Sequence, residues 1–170
     1  MMKKIRRLIM VVLAGIMCTL GGCDDTGCTL YNSTLCHISF YSELGLPTVL
    51  EDTLTVYAVG SETPVYNMGT DLHLLKVQLS YYKDIDTLLY EHWMGTPDEP
   101  APHQVDTLFI KKTDMPHFES PDCGVAMFHE IEEVWWENDS RFPETPLFKG
   151  VYIYHPQVYY NSEDNIRLFI

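Results

Sequence analysis

The chain has few basic residues and few long apolar runs. Lysine and arginine total 11 against 24 aspartate and glutamate residues, a formal net charge of −13. Such a negative field repels nucleic acid and anionic headgroups, so a nucleic-acid partner is not expected. The one long apolar run, residues 8–20, is too short for a spanning helix with normal flanks. No transmembrane helix is predicted.

Familiar catalytic motifs are also missing. The sequence has no glycine-rich phosphate loop, no nucleophile elbow and no Cys-x-x-Cys spacing. The histidines lack paired ligand spacing; they are His37, His73, His92, His103, His117, His129 and His155. We therefore predict no catalytic residue, no cofactor and no metal site, and a protein that is not an enzyme.

The N-terminus combines a basic flank, the apolar run and two small residues before a cysteine. The residues Leu20-Gly21-Gly22-Cys23 resemble the bacterial lipobox. That resemblance implies a signal peptide over residues 1–22 and lipid attachment at Cys23. Residues 23–34 then form an acidic tether, and the protein binds a membrane through its lipid. Two or more acyl chains hold a protein stably on a bilayer.

Acidic residues follow the lipidated cysteine directly. Asp24 and Asp25 resemble the signal that sends lipoproteins of Bacteroidetes-type bacteria to the outer face of the outer membrane. In other bacteria an aspartate there can mean retention in the inner membrane. We expect an outer-membrane lipoprotein and favour the cell surface over the periplasmic face.

Removing the signal peptide makes the chain more acidic. Four of the 11 basic residues and none of the acids precede Cys23, which leaves 7 against 24 and a net charge of −17. The remaining 148 residues suit a single domain with one core, predicted over residues 35–170.

The five cysteines have different expected roles. Cys18 lies in the signal peptide and Cys23 takes the lipid, which leaves Cys28, Cys36 and Cys123 in an oxidising compartment. Three pairings are open. We favour a disulfide between Cys36 and Cys123, because each adjoins an apolar run and the long loop would constrain the unfolded chain most.

Apolar residues alternate with polar ones in short runs along the rest of the chain. This period of two predicts strands, and predicted turns separate them, among them Gly60-Ser61, Asn67-Met68-Gly69 and Pro116. The predicted strands cover residues 35–41, 53–59, 72–79, 87–93, 105–111, 124–136, 150–154 and 166–170. We predict an all-β fold, an immunoglobulin-like β-sandwich of about seven or eight strands.

The tripeptide Asp-Thr-Leu occurs three times, at residues 52–54, 86–88 and 106–108. Each copy is predicted to open a strand: Asp ends a turn, Thr starts the pleated surface and Leu points to the core. The tripeptide also resembles the O-glycosylation acceptor of exported Bacteroidetes proteins. Under that resemblance Thr53, Thr87 and Thr107 are the sugar-bearing residues.

An acidic stretch runs from His129 to Glu133. It lacks the second histidine of a His-Glu-x-x-His zinc site, since residue 133 is Glu. On a strand, His129, Ile131 and Glu133 would share one face. A solvated edge strand is the main interpretation, and a cation held by carboxylates is the alternative.

Two adjacent tryptophans follow this stretch. Trp135 and Trp136 must face opposite sides of a strand, so at least one ring is expected at the surface or in a loop. Packing in the core and on the sheet is the main interpretation. A platform for a sugar or a protein is the alternative.

Taken together, these features resemble a family of small Bacteroidetes lipoproteins of unknown function. The features are the lipobox, the acidic tether, the Asp-Thr-Leu units and the late Ser120-Pro121-Asp122-Cys123-Gly124 with its upstream Cys36. The resemblance implies a β-sandwich with no assigned activity. We expect a non-enzymatic interaction or accessory module for an outer-membrane protein or a surface glycan. The alternative is an envelope metal-binding or hydrolytic enzyme that uses His129–Glu133.

Overall fold

The computed structural model describes residues 34–93, 103–119, 123–138, 146–160 and 163–170. These residues form ten strands and two sheets, which pack as a sandwich. The strands are β1 (Cys36–Tyr41), β2 (Thr53–Ala58), β3 (Tyr66–Gly69), β4 (Leu74–Val77), β5 (Ile85–Trp93), β6 (His103–His117), β7 (Ala126–Asn138), β8 (Gly150–Ile153), β9 (Gln157–Val158) and β10 (Asp164–Phe169).

The smaller sheet has the order β4-β1-β10-β8 and the larger sheet the order β3-β2-β5-β6-β7-β9. In the larger sheet β2, β5, β6 and β7 run antiparallel to their neighbours. In the smaller sheet β1 and β10 pair in parallel, so the first and last described strands lie side by side. The predicted all-β sandwich is confirmed, with ten strands instead of seven or eight.

The core lies between the sheets and follows the alternation of each strand. In β1, Ile38 and Phe40 are buried and the residues between them are half-buried. They pack in one apolar cluster with Leu108 of β6 and Leu168 of β10. Since inward residues come from both sheets, the period of two in the sequence does mark the core face.

Two strands were missed by the sequence prediction. Asn67-Met68-Gly69 was expected to be a turn, but it lies in β3, a short edge strand whose register with β2 is irregular. Pairing with β2 here overrides the turn preference of these residues. β9, which pairs with β7, has only two residues and is too short to show a periodicity.

Pro116 was expected in a turn and instead lies in β6, opposite Met127 of β7. The pairing of β6 with β5 ends at Lys111. Pro116 therefore has no β5 partner on one side of β6, and a residue without an N–H to donate is tolerated at such a position. The predicted turn at Gly60 is present: Gly60 has a φ of 91°, which residues with a side chain rarely adopt.

The predicted disulfide between Cys36 and Cys123 is wrong. Cys36 is a free thiol and is completely buried, because its position on β1 faces the core with Ile38. Cys123 is disulfide-bonded. Of the three pairings open from the sequence, only Cys28 with Cys123 fits a free Cys36, and Cys28 lies outside the described residues.

We expect the Cys36 thiol to resist alkylation in the folded protein. Burial raises its pKa, and the Asp86 and Asp164 carboxylates raise that pKa further. The reactive thiolate is therefore scarce as well as inaccessible. Iodoacetamide labelling followed by peptide mass spectrometry should modify Cys36 only after unfolding in guanidinium. A non-reduced digest should link Cys28 to Cys123; a peptide that joins Cys36 to Cys123 would contradict the assignment.

Candidate functional site

The aspartates of the three Asp-Thr-Leu units differ in burial: Asp106 is fully buried, the Asp86 side chain is 13% exposed and the Asp52 side chain, just before β2, is 45% exposed. Asp52 Oδ2 lies 3.0 Å from His92 Nε2. Asp86 Oδ2 accepts a hydrogen bond from the Ser80 amide at 3.0 Å, and Asp106 Oδ2 accepts one from the Leu147 amide at 2.8 Å. These aspartates therefore join strands to neighbouring segments.

The leucines Leu54, Leu88 and Leu108 are all buried, as predicted. The tripeptide opens a strand, as predicted, only at residues 52–54, where β2 begins at Thr53. Residues 86–88 lie inside β5 and residues 106–108 inside β6, because both strands begin earlier than predicted. The three threonines Thr53, Thr87 and Thr107 are half-buried, and their glycosylation stays a prediction.

A polar cluster lies between the sheets around Lys112, whose side chain is completely buried. Lys112 Nζ donates to the Lys83 carbonyl at 2.9 Å and to Asp114 Oδ1. It also lies 3.8 Å from Asp86 Oδ2. A buried ammonium group is tolerated only when it is paired and hydrogen-bonded, and both conditions are met here.

His129 completes this cluster from β7. Its ring is fully buried, stacks on Tyr81 with the ring centroids 6.2 Å apart, and places Nδ1 2.7 Å from Asp114 Oδ1. Because a carboxylate can only accept, Nδ1 bears the proton. Nε2 has no hydrogen-bond partner among the described residues. Burial lowers the pKa of His129, and its hydrogen bond to Asp114 opposes that change.

A β-bulge changes the faces of the acidic stretch. Lys111 pairs with Glu133 but Lys112 pairs with Ile131, so Glu132 is the extra residue of β7. Its carboxylate lies 2.9 Å from Lys111 Nζ and accepts a bond from Thr113.

The predicted sharing of one face by His129, Ile131 and Glu133 is therefore wrong. His129 and Ile131 are buried, whereas Glu133 is exposed because the bulge shifts the alternation by one residue. Glu130 is exposed as well. Within the described ranges, no group of three or more His, Cys, Asp or Glu side chains is placed to hold a metal ion.

Trp135 and Trp136 face opposite sides of β7. Trp136 packs against the apolar core, and Trp135 stacks on Phe109 with ring centroids 5.0 Å apart and planes 6° apart. Both rings are half-buried. The structure thus places Trp136 against the core and Trp135 on the opposite, outer face of the larger sheet.

A second aromatic surface lies on the smaller sheet. We call it the Arg167 face; its residues are Tyr41, Tyr152, Tyr154, Arg167 and Phe169. The guanidinium carbon of Arg167 lies 3.4 Å from the ring centroid of Tyr154 and 4.5 Å from that of Tyr41. Tyr152 is opposite Arg167 on β8, and Phe169 is opposite Tyr41 on β1.

Hydrogen bonds hold this face in place. Arg167 Nε donates to Asp164 Oδ2 at 2.8 Å, and the Tyr41 hydroxyl donates to the same oxygen at 2.9 Å. Burial and this bond to Asp164 raise the pKa of Tyr41. Tyr152 and Tyr154 remain 60% and 45% exposed, so the fixed arginine has solvent-facing rings beside it. Such an arrangement presents flat apolar area and a cation on a rigid support.

A known family model matches residues 53–170, from β2 to the end of β10. The chain belongs to DUF6452. This is a family of unknown function. No curated protein and no solved structure matches the chain. The DUF6452 match excludes β1, although β1 is an inner strand of the smaller sheet.

Several predicted residues of this DUF6452 protein lie outside the described part. They include the lipidation residue Cys23 and the tether residues Asp24 and Asp25. In the described residues, no helix is long and apolar enough to cross a membrane.

Sequence reasoning missed Lys112, Asp114 and Arg167. One signal for Lys112 was present: it falls on the inward phase of β6, two residues after Ile110, where an apolar residue is expected. A lysine in that phase indicates a buried partner. No such signal pointed to Arg167, because its two ring contacts come from β1 and from the segment after β8.

We predict that His129→Gln makes the free energy of unfolding less dependent on pH below about 6.5, the ordinary pKa of histidine. Because the pKa of folded His129 is lowered, the unfolded chain binds the proton more readily, and wild-type stability falls as the pH drops through this range. Glutamine keeps a donor for Asp114 and does not titrate.

Urea unfolding at a series of pH values measures this effect. His155→Gln is the control, since the His155 side chain is 43% exposed and pairs with Glu163, which is 79% exposed. A slope in His129→Gln equal to that of the wild type contradicts the prediction.

Proposed function

We propose that this protein is a lipid-anchored, non-enzymatic interaction module at the outer membrane, and that the Arg167 face is its binding surface. The observation that carries the proposal is the exposed pair Tyr152 and Tyr154 beside Arg167, whose guanidinium lies on the Tyr154 ring. Membership in a family of unknown function agrees with the lack of an assigned reaction.

The N-terminal sequence supports the anchor. Leu20-Gly21-Gly22-Cys23 has the residues that a lipoprotein signal peptidase requires, and a basic flank and an apolar run precede it. Residues 23–34 would then link the lipid to the sandwich, which begins with β1 at Cys36. Asp24 and Asp25 favour the cell surface over the periplasmic face, in the manner of Bacteroidetes lipoproteins.

The composition of the Arg167 face supports binding. Tyrosine and arginine are enriched among the residues that dominate the energy of protein interfaces. Tyrosine offers large contact area with little conformational entropy to lose, and the more flexible Arg167 is already restricted here by the cation–π contacts and Asp164.

A protein partner fits this face better than a surface glycan does. Tyr154 covers the face of the Arg167 guanidinium at 3.4 Å and Asp164 takes its Nε–H, which leaves only the Nη hydrogens for sugar hydroxyls. The exposed rings of Tyr152 and Tyr154 can instead enter apolar pockets of a partner such as an outer-membrane protein.

The anchor is tested with Cys23→Ser. Replacing the thiol removes the sulfur to which the diacylglyceryl group attaches, so labelled palmitate should be lost. Cys18→Ser is the matched control, since Cys18 precedes the lipobox and should leave labelling unchanged. Labelled Cys23→Ser protein would refute the anchor.

The binding surface is tested with Tyr152→Ala combined with Tyr154→Ala. Both side chains are exposed, so folding should persist while co-purification of the partner from solubilised membranes falls about tenfold or more. Tyr82→Ala is the control, because Tyr82 is 96% exposed and lies outside the Arg167 face.

Two results would count against the proposal. If the double variant retains all partners that the wild type captures, the Arg167 face is not the binding surface. If wild type binds a glycan array through Tyr152 and Tyr154 and captures no protein, the partner class is a glycan instead.

A further inference from the structure

β6 and β7 continue beyond β5 as a two-stranded hairpin. The pairing of β6 with β5 stops at Lys111, whereas the pairing of β6 with β7 runs on to His117 and Ala126. Aromatic and apolar side chains gather where this hairpin ends. We call this surface the hairpin end; its residues are His117, Phe118, Val125, Phe128, Tyr159 and Tyr160.

Phe128 is at the centre of the hairpin end. Its ring stacks on His117 with the ring centroids 4.4 Å apart. The centroids of Tyr159 and Tyr160 lie 4.9 Å and 5.0 Å from that of Phe128. These contacts join β7 to β6 and to the segment just after β9. The packed rings therefore form a fixed base.

Two strongly exposed apolar side chains lie beside this base. Phe118 is 61% exposed and Val125 is 58% exposed, and both lie just beyond the last residue pair of the hairpin. Tyr159 is 43% exposed. The neighbouring charge is Glu119, whose Oε1 lies 3.2 Å from His117 Nε2. Single exposed apolar residues are common, but a group of them at one end of a domain indicates a contact surface.

The chain enters the sandwich at this same end. Thr34, the first described residue, donates a hydrogen bond from Oγ1 to the Met127 carbonyl of β7. Cys123 is disulfide-bonded, and Cys28 is the partner assigned above. Cys23 precedes Cys28 by five residues. Five extended residues span at most roughly 18 Å, so the lipid proposed on Cys23 is attached close to the hairpin end.

We propose that the hairpin end rests on the bilayer that holds the lipid of Cys23, with Phe118 and Val125 in the headgroup region. This inference rests on the anchor in the proposed function, and it adds which end of the sandwich faces the membrane. Amphipathic tyrosine rings favour the membrane–water interface. A lipid tether makes even a weak contact effective, because the contact becomes intramolecular.

The short tether favours a bilayer over a protein as the occupant of the hairpin end. A span of roughly 18 Å leaves little room for a folded partner between this end and the membrane, since a single helix with its side chains is about 10 Å across. The Arg167 face shares no residue with the hairpin end. That face therefore stays available to a partner while the hairpin end contacts lipid.

The test places the purified, lipidated chain in nanodiscs of phosphatidylcholine, a lipid without net charge that does not repel an acidic protein. Doxyl-labelled phosphatidylcholine broadens the NMR signals of nearby valine methyl groups. We expect roughly fivefold more broadening at Val125 than at Val49. Val49 is the matched control because it is 43% exposed and lies with Gln104 at the start of β6, far from the hairpin end.

Phe118→Glu distinguishes a bilayer contact from tethering alone. A carboxylate at this position opposes entry into the headgroup region, so the broadening at Val125 should fall about threefold or more. Leu44→Glu is the matched control, since Leu44 is 87% exposed in the loop after β1 and should leave the broadening unchanged. The methyl signals of the buried residue Val56 report whether each variant is folded.

The possible failures can be told apart. If the intact mass shows no lipid on Cys23, the anchor and this contact are both wrong. If the lipid is present but Val125 and Val49 broaden equally, or Phe118→Glu changes nothing, only the bilayer contact is wrong. If Val125 is not broadened and Phe118→Glu abolishes capture of a membrane protein, a protein covers the hairpin end instead.

Discussion

The parallel pairing of β1 with β10 is the contact on which the smaller sheet depends. It sets Ile38 beside Ile166 and Phe40 beside Leu168, so the first and last described strands bury their apolar residues together. β4 and β8 can then add at the two edges. Because this pairing joins residues more than 120 positions apart in the chain, it has a large loop-closure cost that core burial must offset.

The Arg167 face is a consequence of the same pairing. Tyr41 comes from β1, Arg167 from β10 and Tyr154 from the segment just after β8. Only the assembled sheet brings these rings to the guanidinium and allows Asp164 to bind both Tyr41 and Arg167. The larger sheet supports a different arrangement: β5, β6 and β7 direct Asp86, Lys112 and His129 inward, where each polar group needs a partner from another strand.

Local sequence was a good guide where a strand is long and one face is buried. The alternation correctly placed the core leucines of β2, β5 and β6, since a shift of one residue would expose all of them. The alternation failed at Glu132, where a bulge shifts the phase of β7. The disulfide that loop length favoured was wrong because Cys36 is buried in the core as a free thiol. Bulges and disulfide partners depend on neighbouring strands, which local patterns do not record.

The sequence by itself determined the class of fold and the inward positions of most strands, and its lipobox resemblance at Leu20-Gly21-Gly22-Cys23 stays a prediction. These features are local: a side chain's face follows from a period of two, and a signal peptide is recognised as a linear segment. The tertiary structure alone decided which polar groups meet. Asp52 with His92, Lys112 with Asp114, and Arg167 with two tyrosines are contacts between separate strands or segments. Their distances depend on strand order and register, and these are set by how the two sheets bury their common core.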